Sequence, residues 1–205
     1  MNADKGVRRV LANVGLRVLD GPFHRCVGFK HLYRIPDSPS ATPRILSGEW
    51  SKAYGGRFTP VDSFLTCYLS LDAATAIREA ERLPAPSVHC TIEGRLSAIM
   101  DLTDPAVLLA LGITQEDLES QWALASSSGA EPLTHQLGRL LFAAKRIEGA
   151  VVASVIATGG KNVVVFPERL GAGSWLRIQD PDELLREAIG DIPVDVVAHG
   201  RSAGG

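Results

Sequence analysis

Residues 149–166, GAVVASVIATGGKNVVVF, carry the strongest fold signal in the chain. Two runs rich in β-branched residues, 149–156 and 162–166, stand on either side of Thr158-Gly159-Gly160. β-Branched residues favour strands, and a short glycine-containing break between two such runs is typical of a hairpin. We therefore predict two neighbouring strands joined by a tight turn.

The other elements are predicted from hydrophobic periodicity and from glycine and proline breaks. Apolar residues recur at helical spacing in the first twenty positions, which predicts an amphipathic helix or helix pair there. Ser70 is predicted to cap a helix that ends before Pro84. Further strands are predicted at 29–35, 64–68, 87–100 and 175–178, further helices from 104, from 114, over 133–146 and over 180–189, and a long loop at 36–60.

The order of these elements predicts the fold class. Helices and strands do not alternate as βαβ units, and several strands are short and at hairpin spacing, so an α+β fold in a single domain is expected. Residues 1–28 are interpreted as a helical N-terminal extension and residues 29–166 as the core. Residues 167–198 would complete the same domain with a strand and a helix, and residues 199–205 would be a disordered tail.

Composition narrows the class of function. The 205 residues carry a formal net charge of −2, which argues against direct binding of nucleic acid or of a membrane surface. No apolar stretch is long enough to cross a bilayer, and no secretory signal is visible, so a cytoplasmic protein is expected. The three cysteines show no metal or disulfide spacing and are interpreted as buried free thiols.

Several common catalytic motifs are absent from the sequence. It contains no GxGxxG or GxxxxGK[ST] phosphate loop, no GxSxG elbow and no HExxH pair. The five histidines are scattered, so no metal site is predicted. His31 and His89 fall on strand patterns and are interpreted as structural residues.

A set of polar residues nevertheless occurs where packing alone would not require it. Tyr33-Arg34 ends a predicted strand, Arg57 follows Gly55-Gly56, and Tyr68 ends the next strand. Glu79 lies at the border of the apolar face of the following helix, where an exposed ion-pair row with its neighbours is the alternative. Ser154 is a hydroxyl in an apolar run with no evident helical or turn role.

Four stretches follow one another along the chain: Tyr33-Arg34, GGRF at 55–58, YLSLDAATAIREA at 68–80 and VVASVIATGGKNVVVF at 151–166. With these stretches in this order, the chain resembles the RES domain family. That family is named for an Arg, a Glu and a Ser, which match Arg34 or Arg57, Glu79 and Ser154. The chain departs from the family pattern in having Phe58 after GGR and Ala153 before the serine, and residues 114–130 are the expected insert.

The resemblance implies an ADP-ribosyltransferase-like core with a split, twisted β-sheet surrounded by helices. It also implies the toxin of a bacterial toxin–antitoxin pair, in a hetero-oligomer with an antitoxin of the helix-turn-helix type. NAD⁺ would be a substrate that is degraded by hydrolysis or phosphorolysis, with no cofactor. A protein ADP-ribosyltransferase and a non-catalytic ligand-binding or antitoxin-docking module remain as alternatives.

Chemistry assigns a role to each matched residue. Cleavage of the nicotinamide–ribose bond develops an oxocarbenium ion, which the carboxylate of Glu79 would stabilise. Arg34 and Arg57 would bind the pyrophosphate, because guanidinium groups bind such oxygens bidentately. Tyr68, and Tyr33 with it, would stack on the nicotinamide or hold the ribose. Ser154 would orient the scissile bond through the nicotinamide amide or the ribose.

Overall fold

The computed structural model of the protein describes residues 2–28, 44–81, 86–119, 129–180 and 195–197. Its helices are α1 (Asn2–Asn13), α2 (Arg44–Ser47), α3 (Glu49–Tyr54), α4 (Ala73–Ala80), α5 (Pro105–Leu111), α6 (Gln115–Glu119) and α7 (Leu133–Ala143). Its strands are β1 (Arg17–Asp20), β2 (Phe23–Gly28), β3 (Cys67–Ser70), β4 (Ser87–Asp101), β5 (Gly149–Ala153), β6 (Lys161–Val165), β7 (Trp175–Ile178) and β8 (Asp195–Val197). The predicted strand at 29–35, the predicted helix at 180–189 and the predicted tail lie outside the described residues.

The 15-residue strand β4 organises the sheet. Ile92 of β4 is paired with Phe23 of β2 and with Ile178 of β7, so both edges of the strand are occupied. Strand β1 continues along the β2 edge, and β5 joins the β7 edge in parallel orientation. Strands β6 and β3 extend the sheet from β5 by antiparallel pairing. The result is one mixed, mostly antiparallel sheet with helices around it.

The predicted hairpin at 149–166 is present and lies in the middle of this sheet. Its first strand ends at Ala153, earlier than the predicted 156, so residues 154–160 form a longer connection than the predicted tight turn. Strands β5 and β6 are antiparallel and in register from Gly149–Val165 to Ala153–Lys161. Successive residues point to opposite faces, so Val151 joins one apolar cluster with Val163 and Val165, while Val152 joins a second. Both faces of the hairpin are therefore buried, which explains its nearly continuous apolar sequence.

The N-terminal residues differ from the predicted helical extension. Helix α1 ends at Asn13, and residues 17–20 form β1, which pairs with β4. Strand β2 follows and pairs with β4 over six positions. A helix-like spacing of apolar residues also fits a helix followed by a short strand, and pairing with β4 decides between the two.

Further boundaries were predicted wrongly. The strand predicted at 64–68 is β3, which begins at Cys67 and ends at Ser70. Ser70 is the last residue of β3, and Asp72 caps α4 instead by accepting a hydrogen bond from the backbone of Thr75. The predicted loop at 36–60 contains helices α2 and α3. Strand β7 and the start of α5, capped by Asp104 with Pro105 in the first turn, agree with the prediction.

Cys67 and Cys90 are buried free thiols, whereas Cys26 is partly exposed. Burial raises the pKa of the Cys90 thiol to about 11. Within the described ranges, the helices fall short of the length and apolar character needed to cross a bilayer. Among the same residues, His, Cys, Asp and Glu side chains form no group of three or more that could hold a metal ion.

Candidate active site

A cleft opens where strands β2 and β3 separate. The two strands are paired only through His24 and Ser70, and they diverge beyond this point. A cavity of about 420 Å³ lies at the opening. Its walls come from β2, α3, β3, α4 and the segment after β5, and they include Arg25, Arg57, Tyr68, Glu79 and Asn162. Three residues predicted for the site therefore share one cleft.

The carboxylate of Glu79 accepts hydrogen bonds from the protein through one of its two oxygens. Its Oε1 accepts hydrogen bonds from Ser154 Oγ at 2.6 Å and from Asn162 Nδ2 at 2.8 Å. Its Oε2 accepts none from the residues that the structure describes. The exposed ion pair on this helix is formed by Arg78 and Glu81, whose charged atoms are 3.7 Å apart. Glu79 is thus not part of a solvated ion-pair row, and one oxygen is left for a ligand in the cleft.

Ser154 makes three hydrogen bonds, which use its full capacity. Besides donating to Glu79, its Oγ accepts from the backbone N–H groups of Ile156 at 3.1 Å and Ala157 at 2.8 Å. Strand β5 ends at Ala153, so Ser154 caps the turn that follows. The expectation that this hydroxyl lacks a turn role was wrong. In this structure the hydroxyl is connected to the cleft through its hydrogen bond to the Glu79 carboxylate.

Asn162 is a site residue that the residue-by-residue reading did not assign. Its Nδ2 donates to Glu79, and its Oδ1 accepts from Ser70 Oγ at 2.8 Å. It lies on β6 opposite Val152 of β5 and Ser70 of β3. The available signal was an amide directly before the apolar run 163–166, since a buried amide needs partners for both its donor and acceptor groups.

Arg57 is only 9% exposed. It lines the cleft and also donates hydrogen bonds to backbone carbonyl oxygens of the protein. Its Nε and Nη2 donate to the carbonyl oxygen of Leu118 at 3.1 and 2.7 Å, and its Nη1 donates to that of Ala153 at 2.8 Å. Burial lowers the pKa of the guanidinium, and the neighbouring Tyr68, Glu119 and Glu79 oppose this shift. Arg57 thus joins α6, in the predicted insert, to the end of β5.

Tyr68 fixes the loop that carries Arg57. Its hydroxyl accepts a hydrogen bond from the backbone N–H of Phe58 at 2.8 Å and lies 3.3 Å from Thr59 Oγ1. Burial raises the pKa of the phenol. A Cβ at position 56 would lie 2.8 Å from this hydroxyl oxygen. The glycine pair before Arg57 therefore admits Tyr68, and its small size is explained without a ligand.

Two predicted site residues are not described by the structure, and two residues that were not predicted for the site line the cleft. Tyr33 and Arg34 lie outside the described residues. His24 and Arg25 of β2 line the cleft, although the sequence reading placed them in a helical extension. His89 stacks on His24 with 5.2 Å between ring centroids, and Nδ1 of His24 lies 3.2 Å from Nε2 of His89.

Comparison with protein families and with solved structures shows what the chain is similar to. One chain of the crystal structure of the M. tuberculosis MbcT–MbcA toxin–antitoxin complex matches with a TM-score of 0.59 and 24% sequence identity, covering 91% of this chain and 98% of that chain. At this identity the likeness shows the fold, and it confirms the α+β class. A comparison with curated proteins gives no match. The RES domain profile matches residues 31–186, which include Arg57, Tyr68, Glu79 and Ser154, and the chain belongs to the RES domain family.

Proposed function

We propose that this protein cleaves the nicotinamide–ribose bond of NAD⁺, with Glu79 as the catalytic carboxylate. The observation that carries the proposal is the arrangement of that carboxylate. Ser154 and Asn162 hold Oε1, while Oε2 accepts no hydrogen bond from the described residues and Glu79 lines a cleft of about 420 Å³. Cavities of this size are typical of small-molecule sites.

The chemistry of NAD⁺ cleavage is favoured by a carboxylate beside the ribose. The nicotinamide leaves as a neutral ring, so no general acid is needed, and positive charge develops on the ribose as the bond breaks. A preorganised negative charge stabilises such a transition state more than it stabilises the bound substrate. The two hydrogen bonds from Ser154 and Asn162 fix the orientation of Glu79 before the substrate arrives.

Arg57 and Tyr68 form the wall beside this carboxylate. Arg57 donates three of its five N–H groups to protein carbonyl oxygens, and the other two have no acceptor in the described part of the chain. Those two N–H groups would bind a phosphate or ribose oxygen of the substrate. Tyr68, whose hydroxyl is held by Phe58, would offer its ring to the nicotinamide or the ribose.

We also propose that the protein is the toxin of a toxin–antitoxin pair in the cytoplasm. Support comes from membership of the RES domain family and from likeness to a chain of a solved toxin–antitoxin complex. The neutralising partner would be an antitoxin protein of the helix-turn-helix type. Loss of NAD⁺ in the cell would be the cause of toxicity.

The test compares wild-type protein with Glu79→Gln and with Glu81→Gln as the matched control. Glu81 lies at the C-terminal end of the same helix, and its side chain is 59% exposed and pairs with Arg78. Glu79→Gln keeps the shape but removes the charge, so NAD⁺ turnover should fall about 10²-fold or more, whereas Glu81→Gln should match wild type. Expression of wild type without an antitoxin should arrest growth while NAD⁺ falls, and Glu79→Gln should relieve both effects.

Product masses identify the acceptor in the same assay. Free ADP-ribose indicates water, a phosphorylated ADP-ribose indicates phosphate, and a mass increase on an added protein indicates protein modification. Near-normal turnover by a folded Glu79→Gln variant would remove Glu79 from the chemistry. Absence of nicotinamide release with water, phosphate and added protein would favour a non-catalytic binding module.

A further inference from the structure

We propose that Arg25, at the point where β2 separates from β3, binds the pyrophosphate of the dinucleotide substrate. This inference rests on the proposed NAD⁺-cleaving function and names the group that receives the anionic part of the substrate. Arg25 precedes residues 31–186, the part of the chain that the family profile matches. Its position is therefore a feature of this chain that the family match does not cover.

The location of Arg25 follows from the sheet pairing. His24 is the only residue of β2 paired with β3, and Arg25 is the next residue along the diverging strand. Its Nη1 donates across the gap to Cys67 Sγ of β3 at 2.9 Å. Both the arginine and the catalytic carboxylate Glu79 line the same cavity.

Arg25 has no acidic partner among the described residues, and its hydrogen-bond acceptor is a thiol. Among the described arginines, five pair with carboxylates, in Arg17–Asp101, Arg78–Glu81, Arg95–Asp20, Arg139–Glu131 and Arg177–Glu93. Arg57, Arg146 and Arg169 instead donate to backbone carbonyl oxygens. The thiol of Cys67 is a weak acceptor, and burial raises its pKa, so it stays neutral and does not compensate the charge. A partly buried guanidinium without a counter-ion favours an anionic ligand.

Arg25 also has the larger donor capacity of the two cleft arginines. Arg57 donates three N–H groups to backbone carbonyl oxygens, whereas Arg25 donates one to Cys67. A guanidinium has five N–H groups in a planar fork. Four therefore remain on Arg25, enough for a bidentate interaction with phosphate oxygens.

The charges in the cleft match those of the substrate. NAD⁺ carries positive charge at the nicotinamide end and negative charge on the pyrophosphate. Glu79 supplies the negative group of the cleft, and Arg25 supplies a positive group that protein carboxylates do not neutralise. Complementary charges fix the direction in which such a ligand enters and so place the scissile bond at the carboxylate.

The experiment compares wild type, Arg25→Gln and Arg25→Lys, with Arg139→Gln as the matched control for loss of one positive charge. Arg139 lies on α7 and pairs with Glu131, and it does not line this cleft. Arg25→Gln should raise the KM for NAD⁺ about tenfold or more, the loss expected for a charge-assisted hydrogen bond, with little change in kcat. Arg25→Lys should lie between wild type and Arg25→Gln, and Arg139→Gln should match wild type.

A second measurement uses inorganic pyrophosphate and does not depend on turnover. Pyrophosphate should raise the Tm of wild type and of Arg139→Gln, but not that of Arg25→Gln, and Arg25→Lys should retain part of the shift. An equal Tm shift in wild type and Arg25→Gln would overturn the assignment. Loss of the shift in Arg25→Gln with an unchanged KM would place the anion site outside the reaction and would overturn it too. A wild type without NAD⁺ turnover can still show a Tm shift with pyrophosphate that depends on Arg25. That result would reject the proposed function and uphold the anion site.

Discussion

The hydroxyl of Ser154 connects local structure with the carboxylate that we propose to be catalytic. It accepts two backbone N–H groups in the turn after β5 and donates to the carboxylate of Glu79. A structural role and a positioning role therefore coincide in a single atom. Separating them requires measurements of stability and of rate on the same variant.

We predict that Ser154→Ala loses about 1–3 kcal/mol of unfolding free energy, because two backbone N–H groups lose their acceptor. Its kcat for NAD⁺ should fall at nearly unchanged KM, since Glu79 keeps only the hydrogen bond from Asn162. Asp104→Ala is the control, because Asp104 caps α5 and its loss should cost about 1 kcal/mol without a change in kcat. Urea unfolding and steady-state kinetics provide the two measurements. Equal kcat values for both variants would show that Ser154 acts on stability alone.

At the scale of elements, the site depends on how α4 packs against the turn of the β5–β6 hairpin. Glu79 lies on α4, and its two hydrogen-bond donors come from that turn and from β6. The turn also approaches the start of the helix. A Cβ at Gly160 would clash with Thr75 Oγ1, the hydroxyl that donates to the cap residue Asp72.

Gly160→Ala should therefore displace the start of α4 and move Glu79 relative to Ser154. We expect a stability loss of about 1–3 kcal/mol from overpacking together with a clear fall in NAD⁺ turnover. Gly159→Ala is the matched control, because that position has φ +77° but open space around the Cβ. It should cost about 1–2 kcal/mol of backbone strain and leave turnover per folded molecule unchanged. Thermal unfolding and initial rates measure both effects, and equal turnover by the two variants would contradict the packing argument.

At the scale of the whole molecule, the stacked pair of His24 and His89 ties folding stability to pH. Burial, with a smaller contribution from His89, holds the pKa of His24 below its ordinary value of 6.5, while Asp72 opposes the shift. The folded protein thus binds the His24 proton less tightly than the unfolded chain does.

The sign of the pH effect follows from this difference. Stability from the neutral His24 is fully present above the unfolded pKa of 6.5 and is lost as pH falls from there towards the folded pKa. The Tm should therefore decrease between about pH 7.5 and about pH 5.5, and His24→Gln should flatten this decrease. The lowered pKa values of Asp72, Asp101 and Asp117 act only at more acidic pH, because the ordinary aspartate pKa is 3.8. An identical decrease in wild type and His24→Gln would assign the effect to another group.

Local patterns in the sequence determined the elements and the residues of interest. The two β-branched runs around Thr158-Gly159-Gly160 predicted the hairpin, and the order of elements predicted the α+β class. The resemblance to the RES domain family selected Arg57, Tyr68, Glu79 and Ser154. The first three line one cleft, and Ser154 donates a hydrogen bond to Glu79. Such predictions succeed because periodicity and turn chemistry act over a few neighbouring residues.

The tertiary structure alone decided what each of these side chains contacts. Glu79 meets Ser154 and Asn162 from 75 and 83 positions away, and Arg57 meets the Ala153 carbonyl from 96 positions away. Arg25 reaches the cleft because β2 pairs with β4 and separates from β3 after one position. These contacts depend on strand register, and a shift of one residue would turn every side chain of a strand to the other face. Between strands that are far apart in the chain, register is set by packing across the whole sheet, and short-range sequence patterns do not give it.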